Sequence, residues 1–330
     1  MHVLITGGTG FIGKKLANRI LQQNGIALAG GRERAIEKVT ITDRSSSREG
    51  FVDDPRLDFV FGEFTDAHTL GRALCADIDV IFHLAAVVSG QAEQEFETGL
   101  RVNLQATINL LETCRQLGNC PLVIFTSSVA VYGGDLPDTV TDSTRATPQN
   151  SYGAQKAACE ILINDYSRKG YIDGRSLRLP TIIVRPGRPN AAASSFASGI
   201  IREPLQGQMT VCPVVAESRM WVMSPRTVIT NLIHALTLSA AQLGTDRTIP
   251  LPGTTVSVAV LLDTMGRLTS DRVIARVKFQ PDQFIQRIVN GWPATFDLKR
   301  CIQLGFDADP DVESFITGFI DDELNGGWIQ

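Results

Sequence analysis

The sequence predicts an α/β protein: a doubly wound parallel sheet followed by a smaller C-terminal lobe. Short, continuously apolar runs alternate with helix-length amphipathic segments through the first half of the chain. Such strands are typical of a parallel sheet that helices cover on both faces. The predicted strands are Val3 to Thr6, Val39 to Thr42, Leu57 to Phe61, Val80 to His83 and Leu122 to Thr126. The predicted helices are Phe11 to Gln23, Thr69 to Cys75, Val102 to Leu117 and Tyr152 to Arg168.

The alternation weakens after Pro186, where closely spaced Gly and Pro residues break the chain into shorter pieces. We therefore expect a first domain over residues 1–185 and a second, mainly substrate-binding lobe over residues 186–330. A helix predicted at Arg226 to Leu238 and a strand at Arg247 to Leu251 indicate that residues 226–251 return to the first domain.

Composition and charge exclude several classes of protein. The chain has 330 residues, 43% of them hydrophobic, and a formal net charge of −4, which argues against disorder and against nucleic acid as a partner. The six cysteines form no CxxC pair, and no histidine lies beside any two of them, so no metal site or disulfide framework is expected. No signal-like or membrane-spanning segment is predicted, so we expect a cytoplasmic protein without a membrane partner.

A glycine-rich turn follows the first predicted strand and leads into the first helix. Gly7, Gly10 and Gly13 have the GxxGxxG spacing, with Phe11 and Ile12 at the start of the helix. Glycines let the backbone approach a pyrophosphate, and the helix N-terminus attracts its negative charge. The alternative is a merely tight turn, but the strand before and the helix after favour a Rossmann-type dinucleotide site.

An acidic residue ends the second predicted strand. Asp43 is placed to accept hydrogen bonds from the adenine-side ribose and to repel a 2′-phosphate, which predicts NAD rather than NADP. Asp43 lies farther from Gly13 than the usual ~20 residues, and we expect an extended loop over residues 24–37 to absorb the difference. Arg44 leaves NADP open. Glu63 is a candidate for the adenine edge or an ordinary loop carboxylate.

Three residues predict the chemistry of alcohol oxidation. Ser128 follows a strand end, and Tyr152 and Lys156 are four residues apart on one helical face. A nearby ammonium lowers the pKa of a phenol toward the value that a general base needs. Tyr152 is therefore the predicted base, with Lys156 lowering its pKa and holding the nicotinamide ribose, and Ser128 binding the reacting oxygen. A surface helical pair is the alternative for Tyr152 and Lys156.

The motifs TGGTGFIG, HLAA, FTSSVAVYG and YGAQK together resemble those of the extended short-chain dehydrogenase/reductases, also called the NAD-dependent epimerase/dehydratase family. The resemblance implies a catalytic Ser128, Tyr152 and Lys156. It also implies a set of cofactor-lining residues: Phe64, Leu84, Ala85, Ala86, Asn103, Thr126 and Pro180. Asn103 has a structural alternative, which is to brace the neighbouring strand.

Within that family, the stretches SYGAQK, LRLPTIIVRPG and PNAAAS resemble the members that oxidise four-carbon sugar acids. The resemblance implies NAD-dependent oxidation of the C2 hydroxyl of D-erythronate to 2-dehydro-D-erythronate. A nucleotide-sugar epimerase that retains its NAD is the alternative. The resemblance also implies a homodimer, for which the apolar faces of residues 102–117 and 152–168 are candidates.

A hydroxy acid needs a cation for its carboxylate and polar groups for its hydroxyls. The arginines in the appropriate region are Arg185, Arg188, Arg219 and Arg226. The predicted substrate-binding residues are Ser89, Ser128, Tyr152, Arg185, Asn190, Ser194 and Arg219. A surface or structural ion pair is the alternative for each arginine.

Overall fold

The computed structural model describes residues 1–187 and 194–329. Within those residues, no helix has the length and apolar character needed to cross a membrane. The chain divides into two compact units. Unit 1 comprises Met1–Val131, Asn150–Arg178 and Ile229–Pro250, and unit 2 comprises Tyr132–Gln149, Leu179–Val228 and Leu251–Gln330.

The strands of the described residues, in chain order, are β1 (His2–Thr6), β2 (Gly25–Ala27), β3 (Glu33–Ala35), β4 (Lys38–Asp43), β5 (Leu57–Phe61), β6 (Ile78–His83), β7 (Leu122–Ser128), β8 (Val140–Thr141), β9 (Asp173–Leu179), β10 (Thr181–Ile182), β11 (Thr210–Cys212), β12 (Arg219–Met223), β13 (Thr248–Pro250), β14 (Thr254–Ser257), β15 (Val277–Phe279) and β16 (Phe296–Asp297).

The α-helices are α1 (Phe11–Leu21), α2 (Ala67–Ala73), α3 (Ser89–Gln94), α4 (Phe96–Gly99), α5 (Ala106–Leu117), α6 (Ser151–Arg168), α7 (Ser195–Leu205), α8 (Pro225–His234), α9 (Ala240–Leu243), α10 (Val258–Leu268), α11 (Asp271–Ile274), α12 (Gln283–Asn290), α13 (Lys299–Gln303) and α14 (Glu313–Glu323). A π-helix, Leu100–Gln105, leads into α5, and short 3₁₀ turns occur at Val129–Val131 and Ala235–Thr237.

The main sheet of unit 1 has the strand order β13-β9-β7-β6-β1-β4-β5. The pairs β1–β4, β1–β6, β4–β5, β6–β7 and β9–β13 are parallel. The chain builds outward from β1 through β4 to β5, then crosses back and builds outward from β6 on the other side. This is the predicted doubly wound Rossmann-type sheet, with its switch point between β1 and β6, where ligands bind in such folds.

The core of unit 1 follows from the apolar pattern of the sequence. All five residues of β1 are buried, as expected of a strand covered on both faces. On α5, Leu110, Leu111 and Cys114 recur at helical spacing and pack in one cluster with Ile81 and Phe125 of the sheet. The helix therefore presents its apolar face to the sheet and its charged face to solvent.

Unit 2 is built around a small sheet of order β10-β12-β14, in which β12 and β14 are antiparallel. Side chains of α7, α10 and α14 form a second apolar cluster with it.

Two segments differ from the sequence expectations. Residues 132–149 belong to unit 2 rather than to the first domain, because β8 pairs with β16. Residues 24–37 are not an extended loop, since β2 and β3 pair as an antiparallel hairpin. Residues 229–250 return to unit 1, where β13 extends the main sheet beside β9.

Candidate active site

The turn between β1 and α1 requires glycine on steric grounds. Gly7 has a φ of +65°, and a Cβ added there would lie 2.8 Å from both Cα and N of Ala85. A Cβ on Gly13 would lie 2.5 Å from Cα of Gly8. Gly7 thus permits close approach to the loop after β6, and Gly13 lets α1 pack onto its own entry turn.

The turn delivers a helix N-terminus to the carboxyl edge of the sheet. Gly10 is the N-cap of α1, and no side chain caps its first turn. The first N–H groups of a helix have no intrahelical partner and carry positive dipole, so those from Phe11 to Gly13 suit a phosphate. The predicted turn residues Gly7, Gly10, Phe11, Ile12 and Gly13 are therefore assembled in a form that fits a dinucleotide pyrophosphate.

Asp43, the last residue of β4, lies beside this turn. Its Oδ2 accepts a hydrogen bond from the backbone N of Thr9 at 3.1 Å, and its Oδ1 accepts one from the N of Ser45 at 3.1 Å. One N–H on each oxygen leaves acceptor capacity for ribose hydroxyls. Asp43 therefore also braces the glycine turn, a role that its long spacing in sequence concealed.

A buried hydrogen-bond chain holds the end of β6. His83 is 1% exposed, with Nδ1 2.7 Å from the Thr6 hydroxyl and Nε2 2.9 Å from the Thr107 hydroxyl. The Thr107 hydroxyl donates to the carbonyl of Asn103 at 2.8 Å, so it accepts from Nε2–H, and Nδ1 accepts from Thr6. Burial lowers the pKa of His83 to about 3, with a smaller contribution from the charge of Lys156. His83 is therefore a neutral structural residue.

Thr6, at one end of these hydrogen bonds, positions the loop after β6. The N of Ala85 donates to the Thr6 hydroxyl at 3.2 Å, and the N of Leu84 donates to the Thr6 carbonyl at 3.2 Å. Leu84 and Ala85 are half-buried and Ala86 is exposed. These three predicted cofactor-lining residues therefore form a braced loop directly opposite Gly7.

Asn103 is a buried brace in the structure. Its Oδ1 accepts from the N of Val87 at 2.8 Å, and its Nδ2 donates to the Val87 carbonyl at 3.2 Å and to Oε1 of Gln155 at 2.8 Å. Both amide protons are thus used within the protein. The geometry accounts for the structural alternative, while contact of Asn103 with a cofactor stays a prediction.

The other predicted cofactor residues are dispersed. Glu63 is partly exposed, 4.0 Å from Arg101 in an ion pair. Phe64 belongs to the apolar core of unit 1, tilted against the ring of His83. Pro180 is buried and lies in unit 2. A core phenylalanine needs no ligand to explain it, so the packing gives Phe64 a structural role.

Ser128, Tyr152 and Lys156 all belong to unit 1. Ser128 ends β7, and its Oγ accepts from the N of Ala130 at 3.1 Å. Lys156 is 1% exposed, and its Nζ donates to the Thr126 carbonyl at 2.7 Å. The same Nζ lies 5.6 Å from the ring centroid of Tyr152 and 4.5 Å from that of Phe125. Tyr152 and Lys156 therefore lie close together beside the carboxyl end of β7.

Burial also sets the charge of this lysine. Loss of hydration lowers the pKa of Lys156 to about 8, although Cys159 and Glu160 oppose the shift. The ammonium form still predominates at neutral pH, so a positive charge lies beside the Tyr152 ring. That charge favours the phenolate form of the tyrosine.

A buried network behind this pair was not predicted from the sequence. Glu160 accepts from the Ser127 hydroxyl at 2.5 Å and makes two hydrogen bonds with Arg178, at 2.9 Å and 2.7 Å. The network links α6 to the ends of β7 and β9. The available signal was the position of Glu160, four residues after Lys156 and hence on the same helical face.

The predicted substrate residues lie in both units. Ser89 begins α3 in unit 1, whereas Arg185, Ser194 and Arg219 lie in unit 2. Arg185 is half-buried, and its Nη2 donates to the Ser194 hydroxyl at 3.4 Å. Arg219 is exposed. Arg226 makes exposed ion pairs with Asp321 and Asp322, as its structural alternative predicted. Arg188 and Asn190 lie outside the described residues.

Comparison with known proteins gives matches over most of the chain. A family model described as the NAD dependent epimerase/dehydratase family matches residues 3–234. The D-erythronate dehydrogenase of Cupriavidus necator is 48% identical, over 98% of both chains. The D-erythronate dehydrogenase of Haemophilus influenzae is 43% identical, over 98% of this chain and 100% of that one.

Among solved structures, the nucleoside-diphosphate-sugar epimerase from Agrobacterium tumefaciens gives a TM-score of 0.91 at 39% identity. That match covers 99% of this chain and 95% of the other. A GalE-like L-threonine dehydrogenase from Cupriavidus necator gives a TM-score of 0.82 at 22% identity, over 98% of this chain and 99% of that chain, and shows the fold alone.

A doubly wound sheet with a glycine turn and a tyrosine–lysine pair defines an NAD-dependent oxidoreductase. The chain belongs to the NAD-dependent epimerase/dehydratase family. The sequence prediction of the family, of the fold class and of NAD as cofactor is thereby confirmed.

Proposed function

We propose that this protein oxidises the C2 hydroxyl of D-erythronate to 2-dehydro-D-erythronate with NAD, using Ser128, Tyr152 and Lys156. Two relatives named D-erythronate dehydrogenase, each matched over 98% of this chain, support the substrate. The observation that carries the mechanism is the buried Lys156 ammonium, held to the Thr126 carbonyl beside the Tyr152 ring.

In this mechanism the Tyr152 phenolate takes the proton of the substrate C2 hydroxyl. Bound NAD supplies the hydride acceptor. The Lys156 charge stabilises the phenolate, and the Ser128 hydroxyl binds the reacting oxygen as it becomes a carbonyl. Ser128 is the last residue of β7, so the backbone of the strand fixes its position.

The cofactor residues follow from the braced edge of the sheet. The N–H groups at the start of α1 would hold the pyrophosphate, and Asp43 the adenine-side ribose. Leu84, Ala85 and Ala86 would line the same site from the loop after β6. We keep Glu63, Asn103, Thr126 and Pro180 as proposed cofactor residues of lesser weight.

We propose Arg185 for the substrate carboxylate, with Arg219, Ser89, Asn190 and Ser194 as further substrate residues. The backbone of Arg185 is anchored in unit 2: its N donates to the Ser198 hydroxyl at 3.1 Å, and its carbonyl accepts from Arg202 at 2.7 Å. A guanidinium on an anchored backbone is suited to paired hydrogen bonds with a carboxylate.

The second candidate is a nucleotide-sugar epimerase, which the 39% identity to the Agrobacterium tumefaciens structure favours. An epimerase of this kind keeps NADH bound and returns the hydride within each turnover. Release of NADH in excess over enzyme therefore separates the two functions.

We also propose a homodimer in the cytoplasm. The two helical faces considered for pairing expose Leu117 on α5 and Ile161 on α6, the latter 71% exposed. The six cysteines are free, which is compatible with a reducing compartment. Light scattering of wild type and Ile161→Arg tests the dimer, since a new charge in an apolar interface should yield monomer.

The test of the proposed function is absorbance at 340 nm with NAD and a panel of D-erythronate, L-threonate and a nucleotide sugar. Sustained NADH formation from D-erythronate, many-fold over enzyme, is the expected result. Interconversion of the nucleotide sugar without NADH release would instead establish the epimerase.

A further inference from the structure

A second cluster of chemically active side chains lies at the opposite edge of the main sheet, where its strands begin. His2 is the first residue of β1, and Cys75 and Asp77 lie in the loop between α2 and β6. The amino ends of adjacent parallel strands share one edge, so this cluster is at the other end of β1 from Gly7. It is separate from the cofactor site.

The three side chains present three different metal-ligand types at short range. One ligand atom of each, the His2 ring nitrogen, the Cys75 sulfur and an Asp77 oxygen, all lie within 4.8 Å of one another. His2 is buried, Cys75 is half-buried and Asp77 is exposed. The cluster therefore has a fixed inner member and an opening to solvent.

A hydrogen bond at Nε2 holds the His2 ring in one orientation. Its Nε2 lies 2.8 Å from the Thr40 hydroxyl in a buried hydrogen bond. Ligating histidines usually use their second nitrogen in this way, which orients the ring toward the metal.

Nδ1 of His2 has no hydrogen-bond partner among the described residues, although the His2 side chain is only 6% exposed. Nδ1 instead lies 3.4 Å from Oδ2 of Asp77. In the tautomer that carries its proton on Nε2 and donates it to Thr40, Nδ1 directs a lone pair toward the Asp77 carboxylate, which also only accepts. A cation between the two would satisfy both acceptors.

The neighbouring charged residues are paired with one another. Lys38 is paired with Asp58 at 2.9 Å, and Asp79 is paired with Arg34 at 2.7 Å. These pairs balance internally, which leaves the Asp77 carboxylate as the local charge that a cation would meet.

We propose that His2, Cys75 and Asp77 bind one Zn²⁺ ion, with water as the fourth ligand. Imidazole, thiolate and carboxylate are all ligands that zinc takes in tetrahedral sites, whereas calcium and magnesium take oxygen. Binding forms a zinc–sulfur bond and releases the Cys75 thiol proton to solvent. Because zinc–ligand bonds are about 2.0–2.3 Å, Cys75 and Asp77 move inward with their loop.

The site was not expected from the sequence, because His2 is far from both partners along the chain. The parallel pairing of β1 with β6, His2 opposite Ile78, brings them together. The zinc would link the start of β1 to the loop before β6. Its effect is expected on stability and not on the chemistry at the other edge.

Cobalt is the spectroscopic probe, because tetrahedral Co²⁺ replaces Zn²⁺ and absorbs in the visible. Tag-free protein is required, since a polyhistidine tag binds both metals. We expect one equivalent of Co²⁺ to give visible bands and a thiolate-to-cobalt charge-transfer band, and one equivalent of Zn²⁺ to abolish them.

Variants assign the ligands. Cys75→Ser should abolish the charge-transfer band, and Asp77→Asn should weaken Co²⁺ binding at least tenfold. The matched control is Cys120→Ser, which removes an exposed thiol of the same unit and should leave the spectrum unchanged. Zn²⁺ should raise the Tm of wild type and of Cys120→Ser but not of Cys75→Ser.

The proposal is overturned if wild type gives no charge-transfer band, or if Cys75→Ser retains it. Equal zinc stabilisation of wild type and Cys75→Ser would also overturn it. These readouts do not depend on dehydrogenase activity, so they are independent of the substrate proposed above.

Discussion

Glu160 accepts a 2.5 Å hydrogen bond from the hydroxyl of Ser127, the residue directly before Ser128. Glu160 is on α6, which also carries Tyr152 and Lys156. Its carboxylate therefore joins the helix of the proposed base to the strand end of the proposed oxyanion ligand. Arg178 completes the network with two hydrogen bonds to Glu160.

Glu160→Gln should destabilise the protein strongly. The side chains of Glu160 and Arg178 are 5% and 11% exposed, so the substitution removes the charged member of a buried ion pair. Loss of one member of a buried pair costs about 3–5 kcal/mol. Urea unfolding measures the loss of unfolding free energy.

The matched control for that variant is Asp165→Asn on the same helix. Asp165 pairs with Arg168, but both side chains are more than half exposed. Exposed pairs contribute about 0–1 kcal/mol. Equal destabilisation by the two substitutions would show that the Glu160 network is not buried and coupled as described.

The stability of the protein should fall as pH drops below about 6.5, partly because of His83. Burial lowers the pKa of His83 to about 3, so the folded state stays neutral at this site while the unfolded state takes up a proton. The unfolded state is thereby favoured, by up to about 1.4 kcal/mol per pH unit for one group.

Urea unfolding of wild type and His83→Asn between pH 7.5 and 5 tests that linkage. The variant should show a shallower dependence of unfolding free energy on pH, whatever its absolute stability. His2, whose pKa is also lowered by burial, contributes a slope that both proteins share. Identical slopes in the two proteins would contradict a neutral, buried His83.

Asp43→Ala should raise the Michaelis constant for NAD at least tenfold and change that for NADP much less. A hydrogen bond to a charged acceptor contributes about 1.5–3 kcal/mol, and the carboxylate that repels a 2′-phosphate is removed at the same time. Asp53→Ala, which removes an exposed carboxylate, is the control. Equal changes for both cofactors would show that Asp43 only braces Thr9.

Activity should decline as pH rises above about 8, because Lys156 then loses its charge. Burial lowers the pKa of Lys156 to about 8, so its ammonium form is present below that pH and lost above it. The alkaline limb of kcat/KM measures this titration.

Lys156→Met should reduce kcat/KM by at least about a hundredfold, whereas Lys169→Met, at the exposed end of the same helix, should not. An alkaline limb unchanged in the residual activity of Lys156→Met would assign the limb to another group.

The sheet and the candidate site at its carboxyl edge were predictable because their signals are local. Continuous apolar strands, the glycine spacing and the YxxxK pair each depend on residues close together in sequence. The roles of Thr6, Thr107 and Glu160 were not predictable, since a serine, threonine or carboxylate acquires its partner only when distant strands are brought together. The hydrogen bond between Asp43 and Thr9 was not predictable for the same reason, because 34 residues separate the two along the chain.

The boundary between the units was not predictable for a similar reason. Residues 132–149 follow the first domain without a break in composition, and only the pairing of β8 with β16, far along the chain, assigns them to unit 2. Phe64, which the resemblance implies at the cofactor, belongs to a core cluster, and its contact with a cofactor stays a prediction. Neighbours in space, which a single sequence does not state, decide both cases.

The most direct test of the account is Tyr152→Phe, assayed for both NAD binding and turnover of D-erythronate. The phenol oxygen is the proposed base, while the ring beside Lys156 is retained. We predict an unchanged dissociation constant for NAD and a kcat lower by about 10²–10⁴-fold. A variant that binds NAD normally and keeps more than about a tenth of wild-type turnover would contradict Tyr152 as the base.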